Sequence, residues 1–256
     1  MTALALCAGL TGVRFAIGEQ WESAIIMVMI AAVLDGLDGT IARMVRGESR
    51  FGAELDSLAD AISFGVSPAL ILFLWSLHDL PRIGWLCALV FAVFCALRLA
   101  RFNAAIDTSE QPHKLAGFLT GVPAPAGAGL VMLPIYCWLW SGAPMFRSVW
   151  IVAPWTAAIA LLMVSSVATY SWRSLRLRRS IRFEAIAGVV LVGAALVSAP
   201  WHMLSALCLF YIISIGLSMR GYARIRRQRD ALADERVPPR AAQNEQNAGQ
   251  PEQATD

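Results

Sequence analysis

Charged and metal-binding side chains are scarce in this sequence. Only 15% of its 256 residues are charged, 57% are hydrophobic, and the mean hydropathy is +0.59. This composition excludes a soluble domain with a large core and predicts an integral membrane protein. The three histidines are scattered, and the five cysteines lie in apolar stretches without the spacing of metal ligands. We therefore interpret the cysteines as buried free thiols and not as a zinc site.

The apolar segments predict an all-α fold, a polytopic membrane helix bundle with about eight transmembrane helices. Residues 1–17 lack the positively charged n-region of a signal peptide, so we interpret this apolar run as a membrane span and not as a cleavable signal peptide. The predicted spans are about 2–17, 21–43, 54–77, 83–105, 123–141, 148–170, 183–200 and 202–220.

The basic residues determine the predicted orientation of this bundle. With eight spans, all 21 arginines and lysines except Arg14, Arg82 and Arg147 lie on one side, which the positive-inside rule makes cytoplasmic. Both termini are then cytoplasmic, whereas seven or nine spans would put the C-terminal arginines on the wrong side. We predict a transmembrane domain over residues 1–222 and a disordered cytoplasmic tail over 223–256, which has almost no apolar residues.

Four aspartates interrupt the apolar segments between residues 35 and 60. Asp35 and Asp38 are three residues apart, and Asp56 and Asp60 are four apart, so each pair shares one face of a helix. Carboxylates at membrane depth are costly and normally mark an ion, proton or substrate site. Two facing helices would bring all four into one pocket. Oxygen ligands without histidine or cysteine favour Mg²⁺ or Mn²⁺, and clustered carboxylates need such cations to stay ionised together.

Small and basic residues accompany these aspartates. Gly39 and Ala42 lie on the helical face of Asp35 and Asp38, and Gly52 lies one turn before Asp56. They leave room for a bulky group to approach the backbone. Arg43, Arg46 and Arg50, at the cytoplasmic end of these segments, can hold phosphates. Together with a metal, these residues indicate a substrate that carries a pyrophosphate.

A second group of polar residues ends the fourth predicted span. Arg98 and Arg101 are three residues apart on one helical face, and Asn103 follows them. We interpret them as an anion site for a carboxylate or a phosphate. The alternative is that the two arginines only anchor the helix at the membrane surface.

The motif between residues 35 and 60 is identified as that of a known family. It matches the signature D-x2-D-G-x2-A-R-x8-G-x3-D-x3-D of the CDP-alcohol phosphatidyltransferases without departure. The resemblance runs from about residue 3 to about residue 220. Within the family, residues 49–70, the arginine run that ends at Asn103 and residues 117–129 are similar to the bacterial and archaeal membrane-bound phosphatidylserine synthases.

The resemblance implies a reaction and roles for individual residues. The implied reaction is metal-dependent transfer of the phosphatidyl group of CDP-diacylglycerol to the hydroxyl of L-serine, which gives phosphatidylserine and CMP. The implied ligands of two Mg²⁺ or Mn²⁺ ions are Asp35, Asp38, Asp56 and Asp60, of which Asp60 is also the general base. The residues expected to bind the CDP-linked lipid are Gly39, Ala42, Arg43 and Gly52. The candidates for binding the acceptor or a phosphate are Arg98, Arg101 and Asn103.

The resemblance also implies a homodimer in the bacterial inner membrane, with its active site facing the cytoplasm and with no nucleic acid partner. Two alternatives remain open. One is the same chemistry with glycerol 3-phosphate, inositol phosphate or choline as the acceptor. The other is a cation- or proton-coupled transporter that uses the intramembrane carboxylates. A transporter would leave the glycine, alanine and arginine positions of the motif unexplained.

Overall fold

The computed structural model describes residues 1–45, 50–106, 118–120, 122–165, 168–170 and 182–216, and most of them are helical. The α-helices of these ranges, numbered in chain order, are α1 (Thr2–Ile17), α2 (Trp21–Val45), α3 (Arg50–Asp60), α4 (Ser67–Trp75), α5 (Pro81–Ile106), α6 (Ala124–Val131), α7 (Leu133–Ser141), α8 (Val149–Val164), α9 (Arg182–Ser198) and α10 (Pro200–Gly216). A π-helix, Ala61–Val66, joins α3 to α4. Each of the predicted spans overlaps one of these helices or two in succession, and the last four residues of the span 202–220 lie outside the described residues.

The all-α prediction is confirmed apart from one short strand pair. Strand β1 (Phe118–Thr120) pairs antiparallel with β2 (Ala168–Tyr170). The prediction of a span over 148–170 is therefore wrong for its last residues, because α8 ends at Val164 and Ser165 has an extended backbone. Thr169 and Tyr170 favour strands, and hydropathy alone does not separate an apolar strand from the end of an apolar helix.

Few of the described helices can cross a bilayer by length and composition. Phe51–Trp75 and Pro81–Ala104 meet this condition, and the bent pair α6–α7 gives a third candidate if it forms one span. Three further apolar helices, α1, α8 and α10, are shorter. Because these helices are long and apolar enough to span a bilayer, the molecule is an integral membrane helix bundle. The number of eight spans and the cytoplasmic position of both termini stay predictions.

Helix α1 packs through small residues. Its buried residues are Ala5, Ala8, Gly9, Gly12 and Ala16, which recur every three or four positions and form one face. Its leucine side chains at positions 4 and 10 are exposed on other faces. Small residues let helix backbones approach closely inside a membrane, and α1 packs along α2 in this way.

The fifth predicted span is broken near its middle. Helices α6 and α7 meet at Met132 with a bend of 40°. Pro134 lacks a backbone N–H and cannot donate to the carbonyl of Leu130, four residues earlier. The indole Nε1 of Trp155 on α8 donates to that carbonyl instead, at 2.9 Å. The break is therefore encoded by proline and stabilised by a neighbouring helix.

The π-helix between α3 and α4 lies directly after Asp60, and glycines bring other helices close to it. Gly9 of α1 faces Ser63, whose hydroxyl donates to the carbonyl of Ala5 at 3.2 Å. On the other side, Gly65 lies against Cys95 of α5. The widened turn is thus clamped between α1 and α5, which restrains the backbone next to Asp60.

The substitution Gly9→Ala tests this clamp. A Cβ at position 9 would lie 2.9 Å from the Cα of Ser63, and backbone there cannot move aside cheaply. We expect the variant to lose about 1–3 kcal/mol of unfolding free energy, as overpacked cores do. The measurement is chemical denaturation of the purified protein in detergent micelles.

Gly188→Ala on α9 is the matched control, because a Cβ at position 188 would meet none of the described residues within 4 Å. Alanine has the higher helix propensity, so this control should be neutral or slightly stabilised. Equal stability of the two variants would contradict the proposed clamp.

Candidate active site

The four aspartates of the motif lie on two helices. Asp35 and Asp38 are one turn apart on α2, and Asp56 and Asp60 are one turn apart on α3. All four side chains are partly buried. Asp60 is the last residue of α3, so the π-helix begins immediately after it. The predicted sharing of a helical face within each pair is confirmed.

Three of these carboxylates form a cluster, which we call the carboxylate cluster. One carboxyl oxygen each of Asp35, Asp56 and Asp60 lies within 4.8 Å of the other two. The side chains of Asp35 and Asp60 are within hydrogen-bond reach of each other. Like charges this close repel strongly where water is scarce, so the arrangement requires a cation or a shared proton between them.

The donor atoms of the carboxylate cluster fit a hard divalent cation. They are carboxylate oxygens from two helices, without nitrogen or sulfur donors among them. Mg²⁺ and Mn²⁺ prefer such ligands. The residues present therefore fit the divalent metal on which the predicted chemistry depends.

Asp38 lies beside the carboxylate cluster but is not one of its members. Its Oδ2 accepts a hydrogen bond from the hydroxyl of Thr2, the first residue of α1. It remains close enough to Asp35 and Asp56 to interact with both electrostatically. The structure thus brings three of the four predicted metal ligands together and holds the fourth at their edge.

The structure describes two of the four predicted lipid-binding residues, Gly39 and Gly52, in full. Gly39 follows Asp38 on α2, and a Cβ added there would meet none of the described residues within 4 Å. Gly52 lies on α3, one turn before Asp56. The backbone of α2 includes Ala42 and Arg43, but the side chains of both lie outside the described residues.

Arg98 and Arg101 differ sharply in their surroundings. Arg98 of α5 is partly buried and interacts electrostatically with Asp60 and with Tyr211 of α10. Its Nε is buried and has no hydrogen-bond partner among the described residues. Arg101 is exposed. Of the two predicted anion-binding arginines, Arg98 therefore lies beside the carboxylate cluster, and its Nε–H can still donate a hydrogen bond to a ligand.

Asn103 links two helices of the site. Its Nδ2 donates to the hydroxyl of Ser57 at 2.8 Å, and this hydroxyl in turn lies 3.1 Å from the carbonyl of Ala53. Ser57 follows Asp56 directly. The bond joins the end of α5, which carries Arg98, to α3, which carries two of the cluster carboxylates.

Sequence reasoning missed three features of this region. They are the bond from Thr2 to Asp38, the position of Tyr211 beside Arg98, and the π-helix after Asp60. Thr2 and Asp38 are 36 residues apart, and no local spacing relates them. The two small residues Ser63 and Gly65 after Asp60 were a weak signal for an irregular, closely packed turn.

Comparison with known proteins gives a consistent result. The CDP-alcohol phosphatidyltransferase family model matches residues 1–170, and a second model, CDP-alcohol phosphatidyltransferase 2, matches residues 181–215. The first match contains the whole aspartate motif and the arginines of α5.

Curated proteins named CDP-diacylglycerol–serine O-phosphatidyltransferase are similar to the chain. That of Mycobacterium leprae is 39% identical over 215 residues, which are 84% of this chain and 71% of the relative. That of Mycobacterium tuberculosis H37Rv is 37% identical over 220 residues, or 86% and 77%. That of Helicobacter pylori 26695 is 41% identical over 132 residues, or 52% and 54%. The chain therefore belongs to the CDP-alcohol phosphatidyltransferase family and is a membrane-bound transferase of phospholipid biosynthesis.

Proposed function

We propose that this chain transfers the phosphatidyl group of CDP-diacylglycerol to the hydroxyl of L-serine, giving phosphatidylserine and CMP. The observation that carries the proposal is the carboxylate cluster with the partly buried Arg98 beside Asp60. Relatives that share up to 41% identity with the chain are named for this reaction. The cluster supports the phosphatidyl transfer, and Arg98 supports an acceptor that bears an anionic group.

Asp35, Asp56 and Asp60 would hold the divalent metal, and Asp38 would contribute from the edge of the cluster to a second position. Bound there, Mg²⁺ or Mn²⁺ would neutralise negative charge on the pyrophosphate and on the departing CMP. A Cβ added at Gly39 would meet none of the described residues within 4 Å, and we place the approaching nucleotide against the backbone of α2 at this position. Gly52, Ala42 and Arg43 complete the lipid-binding set that the family motif implies.

Asp60 is the proposed general base. Its carboxylate takes the proton of the serine hydroxyl while the oxygen–phosphorus bond forms and the bond to CMP breaks. Its backbone is restrained by the clamped π-helix that follows. We favour direct attack by the acceptor. Ser57, which follows Asp56, has its hydroxyl engaged by Asn103 and by the carbonyl of Ala53, and none of the described residues at the carboxylate cluster clearly presents itself as a covalent nucleophile.

Arg98 is the proposed contact of the serine carboxylate. The buried Nε–H of Arg98 has no hydrogen-bond partner among the described residues, which is costly, and an anionic ligand would satisfy it. In serine the carboxylate and the hydroxyl are separated by two carbons. An acceptor held by Arg98 would therefore present its hydroxyl towards Asp60, with which Arg98 interacts.

The cellular setting is proposed with the reaction. The distribution of arginines and lysines favours a site that faces the cytoplasm, where CTP-derived lipids and serine are available. We propose the bacterial inner membrane as the location, a homodimer as the working form, and residues 223–256 as a disordered cytoplasmic tail.

The acceptor is tested with membranes that contain the chain, CDP-diacylglycerol and Mn²⁺ or Mg²⁺. L-serine, glycerol 3-phosphate, inositol phosphate and choline are offered separately, and CMP release is measured. We expect release with serine alone. Release with another alcohol alone would keep the phosphatidyl transfer and reject serine.

Asp56→Asn tests the role of the carboxylate cluster. Loss of one anionic ligand should lower CMP release by about 100-fold or more, because the affinity for the divalent metal falls. The amount of protein in the membrane should not change. Asp79→Asn is the control, since Asp79 is exposed and pairs with the exposed His78, at 3.5 Å. Near-normal activity of Asp56→Asn would reject the metal-site assignment.

Arg98→Lys tests the acceptor contact. The substitution keeps the positive charge but removes the planar guanidinium with its fixed N–H donors. A lost charge-assisted hydrogen bond costs about 1.5–3 kcal/mol. We expect the KM for serine to rise about tenfold or more and the KM for CDP-diacylglycerol to change less than about twofold.

Arg82→Lys is the control, because Arg82 is exposed at the beginning of α5, far along the helix from Arg98. The same assay on Arg101→Ala decides whether the exposed arginine contributes. An unchanged serine KM in Arg98→Lys would remove Arg98 from the acceptor site.

A further inference from the structure

Thr2 and Asp38 meet because α1 and α2 form an antiparallel hairpin. The turn at residues 18–20 separates the two helices, and Thr2 and Asp38 lie at nearly equal distances along the chain from it. The small-residue face of α1 keeps the helix axes close over this whole length. The first residue of α1 is thereby placed beside the carboxylate of Asp38.

The contact differs from the usual role of a threonine in a helix. The other threonine of α1, Thr11, donates its hydroxyl to the carbonyl of Cys7 in the same helix, at 2.6 Å. The hydroxyl of Thr2 instead reaches across to Oδ2 of Asp38. The hairpin does not need this bond for packing, since Ala5, Ala8, Gly12 and Ala16 already form the buried face.

The hydrogen bond from Thr2 restricts the orientation of the Asp38 carboxylate. One carboxylate oxygen is engaged by Thr2, so the direction of the other oxygen is limited. Asp38 also stands at the beginning of α1, where the helix dipole favours a negative charge. Groups that orient a metal-binding carboxylate in this way typically change metal affinity by about 10- to 100-fold when removed.

We propose that Thr2 is a positioning residue, whose hydroxyl holds Asp38 at the edge of the carboxylate cluster with its second oxygen directed to the divalent cation. This inference rests on the proposed function, because it requires Asp38 to act as a metal ligand. It assigns to α1 a part in the site that lies outside the aspartate motif.

The test compares Mn²⁺ binding by the full chain and its variants in detergent, in the absence of substrates. The electron paramagnetic resonance signal of free Mn²⁺ falls as the ion binds and gives the dissociation constant. We expect Thr2→Val, which keeps the shape and removes the hydroxyl, to weaken binding about tenfold. Thr2→Ser, which keeps the hydroxyl, should stay within about twofold of the wild type.

Two further variants separate positioning from a general structural effect. Thr11→Val removes the other hydroxyl of α1 and should leave the Mn²⁺ affinity unchanged. In a chain that already carries Asp38→Ala, Thr2→Val should cause no further loss, because the two residues act as one unit. Size-exclusion chromatography of each variant establishes that it is folded.

The outcomes distinguish this inference from the proposed function. If the wild type binds Mn²⁺ and Thr2→Val binds it equally well, the role of Thr2 is rejected and the carboxylate cluster stands. The role is also rejected if Thr2→Val weakens binding further in the Asp38→Ala chain, or if Thr2→Ser is as weak as Thr2→Val. If the wild type itself binds no Mn²⁺, both proposals are rejected.

Discussion

Carboxylates of Asp35, Asp56 and Asp60 face one another between α2 and α3, and their repulsion has to be offset for the helices to stay together. All three side chains are partly buried, and burial strengthens the repulsion between like charges. The surrounding helices hold the carboxylates in place by close packing through small residues, as on the buried face of α1. The bundle therefore holds the carboxylates together, and a cation or a shared proton would balance their charge.

Helices that lie outside the aspartate motif complete the site. α1 contributes the hydroxyl of Thr2 to Asp38, and α5 contributes Arg98 beside Asp60 and the bond of Asn103 to Ser57. The π-helix after Asp60 is restrained on both sides by α1 and α5. A change in the packing of either helix would therefore reach the carboxylates without altering any residue of the motif.

The physical logic of the reaction follows from this arrangement. Three clustered carboxylates and the partly buried guanidinium of Arg98 lie next to one another on packed helices. Under the proposed function, such a site would contribute positioning and electrostatic stabilisation to phosphoryl transfer.

The sequence by itself determined the helical membrane class, the places of nearly all the helices and the pairing of the aspartates on helical faces, because hydropathy and the helical period are local properties. It also determined the family, because the spacing of the motif is specific. Only the tertiary structure decided that Asp38 stands at the edge of the cluster with Thr2, that Arg98 and not Arg101 is partly buried beside Asp60, and that the chain leaves the helix after Val164. These features depend on contacts between residues far apart in the chain, which no local spacing encodes.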